Sequence, residues 1–186
     1  MEKGLPKAGC NILKIAVTGP ESTGKTTLAQ NLAAHYQTVW NPEYAREYLD
    51  KISRLYTAQD IEDIAAEQLK KEESLVNHAN GIYIADTELT VIKVWMEHKF
   101  GNCPQWILDK LAVQDYDIYF LCNIDIPWEP DPQREHPDLR DFFLDIYLRE
   151  MEKSSRDWFI ISGDEESRLN QAIEIVDKMK EMLTNR

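Results

Sequence analysis

One segment near the start of the chain has residue types and spacing that suit phosphate chemistry. It reads Gly19-Pro-Glu-Ser-Thr-Gly24-Lys25-Thr26-Thr27 and satisfies the pattern G-x-x-x-x-G-K-(S or T). The two glycines let the backbone curl so that successive N–H groups converge on phosphate oxygens. The Lys25 ammonium can bridge the outer phosphates, and the Thr26 hydroxyl can ligate magnesium. The segment therefore predicts a site for ATP with Mg²⁺.

The elements on either side of this loop support the assignment. Ile12 to Val17 is a short apolar run typical of a buried strand, and Thr26 to Tyr36 carries apolar residues at helical spacing. The positive end of a helix that starts at the loop adds to the attraction for phosphate. The residues assigned to ATP are Gly19, Glu21, Ser22, Thr23, Gly24, Lys25, Thr26 and Thr27.

Phosphoryl transfer also needs an acid that organises the metal and a carboxylate near the acceptor hydroxyl. Asp86 ends the apolar run that starts at Gly81, and strand ends of a doubly wound sheet point to the phosphate site. We predict that Asp86 organises magnesium, and a role as general base is the second functional possibility. The structural alternative is that Asp86 caps the next helix. Glu43 and Arg46 lie one helical turn apart, where they either face the acceptor or form a surface ion pair.

Residues 125 to 140 are crowded with proline and charge, which is typical of a lid over an active site. We predict that Arg134 and Arg140 stabilise charge on the transferring phosphoryl group. Trp128 offers a stacking face for an aromatic ring, and Asp131 offers a partner for a hydroxyl. The alternative is a solvated loop whose tryptophan packs on the core.

The rest of the chain alternates between strand and helix patterns, with neither a repeat nor a linker that would divide it. We expect one domain over residues 1 to 186, with residues 1 to 10 as a loose leader. The order predicts an α/β, three-layer P-loop NTPase fold: a five-stranded parallel sheet with helices on both faces. Further strands are predicted at 39–40, 81–86, 117–122 and 158–162, and further helices at 43–49, 57–77, 88–98, 104–114, 141–153 and 169–183.

The charge and hydrophobicity of the sequence limit the kinds of molecule that the protein is expected to bind. The formal net charge is −12, with 33 acidic against 21 basic residues, so the overall field repels nucleic acids. Neither a signal peptide nor a run of about 20 apolar residues is present, which predicts a cytoplasmic protein without a membrane span. Cysteines 10, 103 and 122 lack metal-ligand spacing and are expected to be reduced thiols. Histidines 35, 78, 98 and 136 also lack it, and we expect them to be structural or surface residues.

Guanine-specific switch proteins are excluded because the chain has neither a D-x-x-G loop nor an N-K-x-D motif. The chain is also short for a ring-forming ATPase. A small-molecule kinase fits better. A sensor that binds ATP and hydrolyses it slowly is the alternative from another class, and we expect the two to differ in whether Glu43, Trp128 and Asp131 converge with the loop on one cleft.

Four segments, GPESTGKTTLA, WNPEYAREYL, IADTE and DIPWEPDPQR, follow one another in an order and spacing that resemble the ribosylnicotinamide kinase domain of NadR-type proteins. The resemblance spans roughly residues 12 to 180. It implies a fold akin to nucleoside and nucleotide kinases. It also implies transfer of phosphate from ATP to the 5′-hydroxyl of nicotinamide riboside (NR), giving nicotinamide mononucleotide; another nucleoside or nucleotide acceptor is the near alternative.

The resemblance also implies roles for individual residues. Glu43, Tyr44 and Arg46 would line the acceptor side, Asp86 would lie beside the metal, and Trp128 and Asp131 would meet the nucleoside, with Arg134 and Arg140 in the lid. The chain departs from the family in reading Asp131-Pro132-Gln133-Arg134 where an Asp-Gly pair is usual, and proline fixes a different backbone there. The implied partner is a small-molecule nucleoside, and the oligomeric state is left open.

Overall fold

The computed structural model describes residues 12–184, so the predicted leader and Cys10 lie outside the described residues. It contains one five-stranded sheet in the order β2-β3-β1-β4-β5, with every neighbouring pair parallel. The strands are β1 (Leu13–Thr18), β2 (Trp40–Asn41), β3 (Ile82–Asp86), β4 (Ile118–Cys122) and β5 (Asp157–Ile161). The predicted α/β architecture is confirmed.

Within residues 12–184, seven α-helices connect and cover the strands. They are α1 (Lys25–His35), α2 (Tyr44–Leu49), α3 (Ala58–Val76), α4 (Leu89–Phe100), α5 (Gln105–Ala112), α6 (Arg140–Lys153) and α7 (Glu165–Thr184). A 3₁₀ turn, Pro137–Leu139, precedes α6. None of the helices in this part of the chain is both long and apolar enough to cross a membrane.

Alternate side chains of the central strands pack on opposite faces of the sheet, as the two-residue period of a strand requires. Ile15 and Phe120 belong to the core beneath α1 and α7, whereas Ala16 and Leu121 belong to the core that α6 completes. Every residue of β3 and β4 is buried. Burial on both faces explains why these strands are continuous apolar runs rather than alternating ones.

A third cluster of apolar side chains joins α2, α3, α4 and α5 beside the β2 edge of the sheet. Thr57 and Asp60 have the sequence spacing of a helix-capping pair, and the structure contains that pair at the start of α3. The Thr57 side chain accepts from the Asp60 N–H, and the Asp60 carboxylate accepts from the Thr57 N–H. The same carboxylate accepts two bonds of 2.7 Å from Arg54 and one of 2.8 Å from Tyr48. Asp60 thereby holds the segment between α2 and α3 against the start of α3.

Most predicted boundaries agree with the structure to within a few residues. The strand β2 is shifted by one residue from the predicted 39–40, and it pairs only through Trp40 with Ile84 and Asn41 with Ala85. The helix α6 starts at Arg140, so this residue begins a helix rather than ending a loop. The remaining part of the predicted lid, up to residue 136, has no regular secondary structure.

Candidate functional site

The candidate site lies where β1, β3 and β4 end, at the carboxyl edge of the sheet. Val17 of β1 pairs with Asp86 of β3 on one side and with Phe120 of β4 on the other. The chain leaves β1 at Thr18 and enters α1 at Lys25, so the phosphate-binding loop spans the centre of this edge. Ligands bind at the carboxyl ends of strands in such sheets.

Two glycines allow the loop to turn. Gly19 has a φ of 130°, and a Cβ built there would lie 3.0 Å from the carbonyl oxygen of Cys122. Gly24 caps α1 in the left-handed region at a φ of 75°. A side chain at either position would strain the backbone, and at Gly19 it would also press on β4. The loop therefore keeps its shape only with glycine at these places.

Polar groups inside the loop stabilise this turn. The Thr23 hydroxyl donates to the carbonyl of Pro20 over 2.8 Å, and the Lys25 ammonium donates to the same carbonyl over 2.6 Å. Ser22 has a positive φ of 55°, an uncommon conformation for a residue with a side chain. The ammonium of Lys25 thus lies over the loop that is predicted to hold the phosphates.

Asp86 contacts the first turn of α1 directly. The Thr26 hydroxyl donates to Asp86 Oδ2 over 2.7 Å, while Asp86 Oδ1 is buried with no hydrogen-bond partner among the described residues. Burial, together with the nearby carboxylate of Glu43, raises the pKa of Asp86 to about 6. A hydroxyl beside a buried carboxylate oxygen that lacks a partner is a donor set that suits Mg²⁺, which also takes ligands from phosphate.

The alternative role for Asp86, as cap of the next helix, belongs to Glu88 instead. The Glu88 carboxylate accepts from the Thr90 N–H over 2.6 Å and from the Thr90 hydroxyl over 2.9 Å. Thr18 and Gln114 also donate to it. Thr87, between the two acids, has a φ of 70°. Asp86 is therefore turned away from the α4 terminus and toward α1.

The predicted lid residues contact the loop. Ser22 Oγ accepts from the backbone N–H of Glu129 over 2.9 Å and from the Arg134 guanidinium over 3.1 Å. Glu21 accepts from the backbone N–H groups of Glu135 and His136 over 3.1 and 3.3 Å. The segment 129–136 is in this way held against the phosphate-binding loop.

Arg168 was not singled out from the sequence, although it is 3% exposed and contacts the loop. Its guanidinium donates to the carbonyls of Thr23, Gly163 and Asn123 and to the carboxylate of Asp125. One arginine from α7 therefore joins the loop to the ends of β4 and β5. An arginine in an amphipathic helix pattern gives no sequence signal for such a contact.

A cavity of about 680 Å³ opens beside the loop. Of the predicted site residues, the lining includes all of 19–27 together with Glu43, Arg46 and Arg134. Asp86 is not a lining residue but contacts Thr26, which is. The cavity thus brings the phosphate-binding loop, one acidic side chain after β2 and one lid arginine together.

Four other predicted site residues do not line this cavity. The Tyr44 ring packs on Tyr48 and lies 4.1 Å from the Lys71 ammonium, on the side of α2 that faces α3. Asp131 pairs with Arg46 over 2.8 Å. The two remaining residues are Trp128, which is half-buried, and Arg140, which donates to the carbonyls of Ile126 and Ser22.

Asp131 and Arg140 therefore organise the lid rather than face the cavity. The Asp131 side chain accepts from the Gln133 N–H, and its carbonyl accepts from the Arg134 N–H over 3.0 Å. This is a turn stabilised by an aspartate side chain. Pro132 lies inside the turn, where its fixed φ and missing N–H are tolerated.

One wall of the cavity was missed in the sequence. It is formed by Val91, Val94, Trp95 and His98 of α4 and by Tyr56 before α3. The four α4 residues have the spacing i, i+3, i+4, i+7, which places them on one helix face. That spacing, directly after Asp86, was the available signal. His98 and His136, which were expected to be structural or surface residues, also line the cavity; His98 is exposed and His136 is half-buried.

Comparison with known proteins gives one family match. The family described as an AAA domain matches residues 14–168. The chain is 24% identical over 174 residues to the trifunctional NAD biosynthesis/regulator protein NadR of Escherichia coli (strain K12). That match covers 89% of this chain and 42% of the relative, so the chain spans less than half the length of this protein.

Solved structures agree with the fold. Crystal structures of NadR protein in complex with NR and with NAD and AMP-PNP superpose with TM-scores of 0.73 and 0.75, at 23% and 22% identity. Each match covers 90% of this chain, and 50% and 49% of those chains. Thymidylate kinase from Ehrlichia chaffeensis has a TM-score of 0.66 at 18% identity, covering 88% of this chain and 98% of that one. The predicted P-loop kinase fold and the resemblance to NadR-type proteins are confirmed.

Proposed function

We propose that this chain, which belongs to the AAA domain family, is an ATP-dependent kinase that phosphorylates the 5′-hydroxyl of nicotinamide riboside. The observation that carries the proposal is the shared cavity, in which the phosphate-binding loop meets Glu43, Arg134 and an apolar wall. A kinase needs the acceptor and the phosphates in one enclosed space, because in-line transfer requires both reacting groups to be positioned.

The predicted residues that line the cavity, together with Asp86 beside it, carry the chemistry of this scheme. Backbone amides of the loop and the Lys25 ammonium hold the phosphates of ATP, and Arg134 approaches from the lid to neutralise charge on the transferring group. Thr26 and the Asp86 carboxylate would hold Mg²⁺, which when bound neutralises charge on the outer phosphates. Glu43 lines the cavity and receives the proton of the acceptor hydroxyl.

The choice of nicotinamide riboside is supported by the names of the relatives. The Escherichia coli relative is named for NAD biosynthesis, and one NadR structure holds NR while another holds NAD and AMP-PNP. The likeness to a thymidylate kinase supports the broader class of nucleoside and nucleotide kinases. Other activities of the longer relatives are not part of the proposal, since the chain matches only 42% of the Escherichia coli protein.

The proposal is tested with purified protein, ATP and Mg²⁺, offered nicotinamide riboside, cytidine, thymidine or a nucleoside monophosphate in turn. The product is followed by mass spectrometry, and ATP consumption is measured in parallel. We expect phosphorylated product with nicotinamide riboside and little with the other acceptors. Preferred phosphorylation of another acceptor would replace nicotinamide riboside within the kinase proposal, whereas ATP turnover indifferent to every acceptor would favour a sensor.

A further inference from the structure

Part of the cavity is lined by apolar residues that are distant in sequence from the phosphate-binding loop. We call this part the acceptor recess. It is formed by two segments: the end of α2 with the turn that follows it, and one face of α4. Its residues are Leu49, Ile52, Leu55, Tyr56, Val91, Val94, Trp95 and His98. Pockets that are mostly apolar with a few polar groups are typical of sites for small organic ligands.

The aromatic residues of the recess have their polar atoms engaged with each other. The Trp95 indole N–H donates to the Tyr56 hydroxyl over 3.0 Å, and that hydroxyl donates to Glu135 over 3.0 Å. The two rings meet edge to face, with centroids 5.0 Å apart. Because their hydrogen-bonding capacity is used in this way, these side chains offer the ligand apolar ring surface rather than free donors.

Leu55 is the second observation that points to a ligand. It lines the recess, yet 91% of it is exposed to solvent, the largest exposure among the large apolar residues of the described region. The segment that carries it is held in place, since Arg54 makes two bonds of 2.7 Å to the buried Asp60. A leucine presented to solvent by a fixed segment can bury its side chain against a bound molecule.

The recess is also joined to the lid. Glu135 accepts from Tyr56 and, over 2.7 Å, from Lys99 of α4, while its own N–H donates to Glu21 of the phosphate-binding loop. One lid residue thus contacts both the recess wall and the loop. A ligand in the recess would therefore lie beneath the lid and in the same cavity as Lys25.

We propose that the planar heteroaromatic base of the acceptor binds in this recess against Trp95 and Tyr56, so that this wall and not Trp128 of the lid selects the acceptor. The inference rests on the proposed function, since it names the part of the kinase site that recognises the nucleoside. Stacking on an aromatic side chain and burial of the flat base faces supply the affinity. His98, at the end of the same helix face, offers ring nitrogens to the polar edge of the base.

The test compares Trp95→Ala with Trp128→Ala, two matched truncations of tryptophan. Affinity for nicotinamide riboside is measured by calorimetry, KM and kcat are measured by product formation, and affinity for AMP-PNP reports the integrity of the phosphate site. Loss of one base–aromatic contact predicts a Kd for the nucleoside that rises about 10- to 100-fold in Trp95→Ala. In Trp128→Ala we expect a change below about twofold, with AMP-PNP affinity unchanged in both variants.

A second variant keeps the test decisive if Trp95→Ala does not fold. Leu55 is exposed, so Leu55→Lys leaves the core intact while placing a positive charge beside the base, which in nicotinamide riboside is a cationic pyridinium ring. We expect nucleoside affinity to fall at least about 10-fold with AMP-PNP affinity retained. Normal nucleoside affinity in Leu55→Lys, or a loss confined to Trp128→Ala, would overturn the inference and leave the kinase assignment standing. If the unsubstituted protein neither binds nor phosphorylates any acceptor, the proposed function fails and the recess inference fails with it.

Discussion

The two sides of the cavity are built in different ways. The phosphate side is a continuous loop whose amides, two glycines and Lys25 lie within nine residues of sequence. The acceptor side is assembled from distant segments: Tyr56 meets Trp95 across 39 residues and Glu135 across 79. A local motif specifies its own conformation, whereas a wall formed by distant side chains exists only once the chain has folded.

The largest effect on activity is expected from a substitution on the phosphate side, and it tests whether the phosphate-binding motif functions in catalysis. Lys25→Ala removes the ammonium over the loop, and we expect kcat/KM to fall by at least about 1000-fold because charge on the transferring group loses its main counterion. Product formation by steady-state kinetics measures it. Lys51→Ala is the matched control, since Lys51 is exposed and pairs only with Glu47 among the described residues. Retention of more than about a tenth of the activity in Lys25→Ala would contradict the assignment.

The second prediction concerns Asp86, which lies between the two sides. Its folded pKa of about 6 is raised above the ordinary value of 3.8. Above pH 6, folding therefore has to bury a charge, and stability falls as the pH rises from about 4 to about 6. We expect Asp86→Asn to lose at least about 100-fold in kcat/KM, yet to gain about 1–3 kcal/mol of unfolding free energy at pH 7.5 without nucleotide or metal.

Thermal and chemical unfolding at pH 7.5 and at pH 3.5 measures this gain. The gain should fall below about 0.5 kcal/mol at the lower pH, because the aspartic acid is then neutral in the folded state and mostly neutral in the unfolded state. Asp109→Asn, at an exposed position of α5, controls for the general effect of removing one negative charge. If Asp86→Asn were less stable than the original protein at pH 7.5, burial of the charged Asp86 carboxylate would not destabilise the folded state.

The smallest effect is expected at Asp131, which the sequence assigned to the acceptor side. In the structure it pairs with Arg46, and the two side chains are 21% and 45% exposed. Pairs of this kind contribute about 0.2–1 kcal/mol, so Asp131→Asn should change KM for the nucleoside by less than about fivefold. A direct bond to a substrate hydroxyl would cost about 1.5–3 kcal/mol. A rise in KM above about 10-fold would thus restore the role predicted from the sequence.

The fold and the phosphate side could be predicted because each depends on neighbours in sequence. The alternation of strand and helix patterns indicated a parallel sheet, and the pair Thr57 and Asp60 indicated the start of α3. Asp86 could be placed because a strand end in a parallel sheet has one position relative to the loop. The contact between Thr26 and Asp86 follows from these two elements alone.

The acceptor side was harder to predict because the type of a residue does not reveal whether its side chain lines the cavity. Trp128 suggested a nucleoside contact by its aromatic character and Tyr44 by the family resemblance, but neither lines the cavity. Trp95 and Tyr56 do line it, and their common position depends on how α4 packs against the segment before α3. Arg140 was taken as a lid residue that neutralises phosphate, whereas as the first residue of α6 it contacts loop carbonyls.

The contact between Arg168 and the loop has a consequence for the order of biosynthesis. The Arg168 guanidinium donates to the Thr23 carbonyl, and Arg168 lies 145 residues after Thr23 in the sequence. A ribosome takes roughly 7 to 30 s to add 145 residues at 5–20 residues per second. During that interval the nascent chain carries the whole phosphate-binding motif without the side chain that joins it to β4 and β5. The cell thus makes the recognisable sequence early, but the completed nucleotide site only when α7 leaves the ribosome.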